Sequence, residues 1–128
     1  MIVECRDTSS ERLDRLEKQL LAWVAELHGQ RGVELDAQPI ARIPPTLMAE
    51  ELESLIEAGA LEHRAAAMRM PSGAGHDAMV VGRFLPAAML FIPSIGGRSH
   101  DIVEDTAEAD IVLGCEVLAG VVERLEAA

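Results

Sequence analysis

Residues 70–106, MPSGAGHDAMVVGRFLPAAMLFIPSIGGRSHDIVEDT, decide how this chain reads. Two loops stand out, SGAGHDA at 72–78 and GGRSHD at 96–101, each with glycines followed by a histidine. Glycine permits positive φ and close approach of a backbone, so such loops make room for a ligand. Histidine titrates near neutral pH and is the commonest metal-binding side chain. Between the loops, residues 87–92 (AAMLFI) form an unbroken apolar run. That pattern predicts a strand covered on both faces. Residues 78–83 predict a short helix that starts at the first loop. Loops at the carboxyl ends of strands in an α/β sheet are where ligands bind.

Working outward, residues 65–70 read as a short strand. Residues 47–60 read as a helix with Leu52, Leu55 and Ile56 inward. Pro44-Pro45 is the strongest break in the chain. Before it, residues 33–43 alternate in part (Val33, Leu35, Ala37) and predict a strand. Leu13, Leu16, Leu20, Val24 and Leu27 recur at helical spacing. Thr8 and Glu11 fit a capping box at that helix's start, and Gly29 or Gly32 ends it. Residues 1–5 suggest another strand. On the far side, Asp105 or Thr106 caps a last helix with the stripe Ile111, Cys115, Leu118, Val122 and Leu125. Helices alternating with strands predict an α/β fold, divided into a β–α–β piece at 1–44 and a layered piece at 45–128.

Composition narrows the function. The chain has 128 residues, 49% of them hydrophobic, enough for one domain or parts of two. Trp23, Phe84 and Phe91 are its only large aromatic residues, and there is no Tyr, so the core must be aliphatic. A net charge of −11 argues against a nucleic-acid or anionic-membrane partner, since phosphates need clustered Lys and Arg. Cys5 and Cys115 lie far apart within apolar runs and read as buried thiols rather than a disulfide or metal pair. No leader-like or membrane-length segment is visible, so the expected location is the cytoplasm.

His100 is the first chemical candidate, exposed by a glycine pair at the end of a buried strand. By itself it reads either as a ligand-binding imidazole or as a ring that satisfies a loop carbonyl. His76 and Asp77 open a helix, where free amides attract anions; Asp77 also suits the helix dipole. Arg6 follows a strand and by itself reads as a solvated charge. His28, His63 and the acidic set Glu50, Glu51 and Glu53 read as surface. Ser72 and Ser99 neighbour histidines, but neither sits in a nucleophile elbow.

The ordered set SGAGHDA, AAMLFIPS and GGRSH, followed by an acidic residue and Thr, resembles the C-terminal part of the zinc-dependent M20-type amidohydrolases. It is most similar to the group of N-carbamoyl-L-amino-acid hydrolases, β-ureidopropionases and allantoate amidohydrolases. The resemblance implies that His100 is a metal ligand and that Gly75, with His76, contacts the substrate. IVECRDTS resembles the strand of the family's lid, or dimerisation, domain that ends in D-x-R or E-x-R, which implies that Arg6 binds the substrate carboxylate. It also implies a two-metal site holding Zn2+, with Mn2+, Co2+ or Ni2+ as alternatives. The substrate would be a small ureido or amide acid, and the chain would form homo-oligomers. Residues 1–44 would be the second half of the lid, and 45–128 the end of the catalytic domain. The general base and the other ligands would lie outside these residues, so the chain alone is expected to be inactive. GGRSHD departs from the family's commoner GGISHS. The alternative is a non-catalytic folded remnant that serves as a binding or interaction module.

Overall fold

The computed structural model describes residues 1–127. Its regular elements are four α-helices: α1 (Ser10–Leu27), α2 (Glu50–Glu62), α3 (Asp77–Val81) and α4 (Glu108–Glu126). Single 3-10 turns lie at Gln30–Gly32 and Ile95–Gly97. The described residues contain no strand. This corrects the α/β expectation, the β–α–β piece included: residues 1–5, 33–43, 65–70 and 87–92 form no hydrogen-bonded ladder. A helix satisfies its amides within its own segment, whereas a strand exists only by pairing with another. These segments do not pair with one another.

The chain forms two compact units. The first comprises Met1–Thr46 with Pro71–Ala74. Its helix, α1, begins one residue later than the capping box implies. Ser9 is the N-cap, and its side chain accepts from the Arg12 amide at 3.3 Å. The Ser9 amide in turn donates to Asp7 at 2.8 Å. Such a cap satisfies an amide that has no partner inside the helix. Leu13, Leu20 and Val24 are half-buried, while Leu16 and Leu27 are exposed. The helix stops where Gly29 takes a left-handed φ of 77°, a conformation that glycine adopts without steric cost. Beyond it, His28 Nδ1 lies 2.7 Å from the Leu35 carbonyl, and Arg42 pairs with Glu17. The 33–43 segment is thus tied to α1 by side chains.

The second unit comprises Leu47–Met70 and Gly75–Ala128. Its centre is the contact of α2 with α4. Gly59 and Ala60 are buried on α2, and Gly114, Val117 and Val121 on α4. Small residues let neighbouring segments approach closely. A Cβ on Gly59 would stand 3.3 Å from Val117 Cγ1, and one on Gly114 only 2.8 Å from Ile92 Cγ2. The ends are tied by an ion pair of Arg124 with Glu62, and His63 Nδ1 lies 3.5 Å from Glu116 Oε2. Arg69 bonds Ser54 at 2.9 Å, Glu57 at 3.1 Å and Glu53 at 3.2 Å, holding the 65–70 segment against α2. The Ala49 amide donates to the Ala87 carbonyl at 2.8 Å.

Three further expectations are corrected. The α4 stripe Ile111, Leu118, Val122 and Leu125 is 45–54% exposed, and Cys115 on the same stripe is exposed too. The buried face is the neighbouring one, through Gly114, Val117 and Val121. Neither Asp105 nor Thr106 caps α4; Ala107 holds that position without a side-chain bond. Cys5 and Cys115 are exposed rather than buried. An apolar residue is buried only where the fold supplies a neighbour for it, and Ala60, Val117 and Val121 are the buried hydrophobic residues described. No helix among the described residues is long and apolar enough to cross a membrane.

Candidate functional site

The second glycine loop is the best-defined feature around the candidate residues. The Ile95 amide donates to the Asp105 carbonyl at 2.8 Å, closing the loop at its base. Gly96 and Gly97 both take positive φ, 69° and 67°. Only glycine does this without strain, so this pair is required by the turn itself. His100 also has positive φ, 56°, and as an L-residue with a Cβ it is strained there by roughly 1–2 kcal/mol. The conformation is held: the His100 amide donates to Glu104 Oε2 at 2.7 Å. Asp101 accepts from the Val103 amide at 3.2 Å and pairs with Arg98 at 3.2 Å. His100 is exposed.

The first loop is built differently. Neither Gly73 nor Gly75 has positive φ, and a Cβ on either would meet nothing within 4 Å. Nothing in the described chain therefore demands glycine at 75, and the space over it is open. Ser72 Oγ accepts from the Ala74 amide at 3.2 Å, tightening the turn. His76 is the N-cap of α3, with extended backbone (φ −135°, ψ 156°), and Asp77 lies in the first turn. The His76 ring meets Phe91 edge to face, with centroids 5.4 Å apart at 61°. That geometry suits the aromatic quadrupole and limits the imidazole's swing.

Arg6 lies in the first unit. Its Nε and Nη2 donate to the two carboxylate oxygens of Glu4, at 2.9 and 3.1 Å, and Nη1 donates to the Gly73 carbonyl. The fork-to-fork pairing holds the Glu4 carboxyl below the usual carboxylate range and raises the Arg6 pKa, the hydrogen bond being the larger cause in each and the opposite charge the second. Both side chains are more than half exposed, so water screens the pair. The geometry shows that this guanidinium can present a planar edge to a carboxylate.

Several of these partners escape a sequence reading. Glu4 belongs to the E-x-R pattern quoted above, but its bond to Arg6, like that of Glu104 to His100 four residues before it, becomes a contact only in a particular backbone. Phe91 was assigned to a strand and faces His76 instead. His28 and His63 are exposed, as expected. Two surface grooves lie elsewhere, one bordered by Glu62, His63, Glu116 and Arg124, the other by Leu47, Arg83, Phe84 and Pro86. Both are open grooves, and neither is lined by Gly75, His76 or His100.

Among the described residues no group of three or more His, Cys, Asp or Glu side chains could hold a metal ion. A protein zinc site takes at least three protein ligands, so the donors described here do not by themselves fit a metal.

Comparison with known proteins settles the lineage. The family model of peptidase family M20/M25/M40 matches residues 6–124. The chain belongs to this family. It is 32% identical over 123 residues to an allantoate amidohydrolase of Bacillus subtilis (strain 168), covering 96% of this chain and 30% of that protein. It is 29% identical over 124 residues to an N-carbamoyl-L-amino-acid amidohydrolase of Paenarthrobacter aurescens, covering 97% and 30%. A solved amidase of the hydantoinase/carbamoylase family from Burkholderia phymatum matches with a TM-score of 0.78 and 39% identity, over 94% of this chain and 28% of that one. The M20-family chain thus spans just under a third of the length of these relatives.

Proposed function

We propose that this segment serves an amidohydrolase that cleaves a ureido or amide C–N bond in a small acid of the N-carbamoyl amino acid or allantoate type. The observation that carries the reading is the pair of loops, with open space over Gly75 in one and a fixed, exposed histidine, His100, in the other. Supporting it are the amidohydrolase relatives aligned along nearly the whole chain. Residues 1–44 belong to the lid half and 45–128 to the catalytic half. In this reading Arg6 binds the substrate carboxylate, and Gly75 and His76 line the bound substrate. Phe91 keeps the His76 ring in place. His100 supplies one metal ligand, the further donors and the proton-transferring base coming from outside the described residues. With those donors His100 would help hold a metal pair, zinc in the first instance, which would supply Lewis-acid chemistry for the hydrolysis. The working form is a homo-oligomer.

Two tests follow. Purified residues 1–128 should show no turnover of an N-carbamoyl amino acid with zinc or manganese added, because the donor set is incomplete. Chelator-sensitive hydrolysis by that chain would overturn the assignment of the missing groups. In a polypeptide of the relatives' length that carries this segment, Arg6→Ala should lower kcat/KM for acidic substrates about tenfold or more, and much less for the matching neutral amides, since the lost bonds to Glu4 and Gly73 affect both substrates alike and the lost charge-assisted contact affects the acids alone. An unchanged acid-to-amide ratio would make Arg6 an ordinary surface charge.

A further inference from the structure

We propose that Glu104 is a positioning residue that holds His100 in its working direction. The proposal rests on the functional reading of His100 given above. Fixing φ fixes the direction of the Cα–Cβ bond, and so the cone through which the imidazole can point. At His100 that φ is 56°, a value an unrestrained histidine leaves for the ordinary extended or helical region. What holds it is named in the structure. The Glu104 carboxylate takes the His100 amide at 2.7 Å, a short, charge-assisted bond. The Gly96 and Gly97 turn and the Ile95–Asp105 closure fix the base of the same loop. Without Glu104 the base would stay closed, but the His100 peptide would be free to rotate. Glu104 need not touch substrate; it acts through the backbone of its neighbour.

Two substitutions separate reach from charge. Glu104→Gln keeps an oxygen at the same length, while Glu104→Asp keeps the charge but is one methylene too short. Amide hydrogen exchange on this chain should show the His100 amide exchanging about tenfold faster in Glu104→Asp, with α4 amides unchanged, and by a smaller factor in Glu104→Gln, which keeps the oxygen but loses the charge. In the longer polypeptide, kcat should fall about tenfold in Glu104→Asp with KM little changed, and fall less in Glu104→Gln. Equal exchange and turnover in both variants and the parent would overturn the proposal. If His100→Ala spared turnover, the functional reading would fall and the positioning role with it, even with the amide still protected. If His100→Ala abolished turnover while Glu104→Asp spared it, the proposal for Glu104 alone would fall.

Discussion

In a polypeptide of the relatives' length that carries this segment, His100→Ala is expected to reduce turnover of an N-carbamoyl amino acid by about two orders of magnitude or more. An imidazole that takes part directly in the chemistry contributes on that scale, and no neighbour replaces it. The structure sharpens the expectation. His100 is exposed and makes its loop contact through its backbone amide. Truncating the ring therefore leaves the Glu104 bond, the glycine turn and the Ile95–Asp105 closure intact. Alanine at positive φ keeps a Cβ and its strain, so stability should change little. Activity and stability should accordingly part company: an unchanged thermal midpoint with collapsed kcat. A variant that kept wild-type kcat would remove His100 from the site. A variant that lost both together would mark the histidine as structural.

Val117→Asp is expected to unfold the α2–α4 unit, while Leu118→Asp, one position along, is expected to be tolerated by this chain. Val117 is 2% exposed and faces Gly59 across the helix pair. A carboxylate there loses water without a partner, at a cost of roughly 3 kcal/mol or more. The loss of valine's own burial adds about 1.5 kcal/mol. Domains hold together by only about 5–15 kcal/mol, and with Ala60, Val117 and Val121 as the buried hydrophobic residues, this unit lies toward the lower end. Leu118 is 47% exposed, so an aspartate there keeps most of its water. Thermal melts followed by far-UV circular dichroism would compare the two. Equal effects would mean that α4 presents both faces to a partner surface, and a harmless Val117→Asp would mean that Val117 does not pack against α2.

The sequence by itself determined what is local. The α1 and α2 spans, the stop at Gly29 and the short helix after the first loop follow from spacing, caps and glycine, because helical bonds close within a few residues. The quoted motifs fixed the family in the same way, since residue types in order need no coordinates. What the tertiary structure decided is non-local. Residues 87–92 have the composition of a buried strand but no ladder here, because strand formation depends on a partner that composition does not name. On α4 two adjacent faces are apolar, and the pattern alone favoured Ile111, Cys115, Leu118, Val122 and Leu125. Packing chose Gly114, Val117 and Val121: Val117 faces Gly59 of α2, and Gly114 lies close against Ile92. The candidate site divides along the same line. His100 and Arg6 were legible as residue types in motifs, but the backbone that turns His100 to φ 56° and the carboxylates that hold both residues emerge only when the chain has folded.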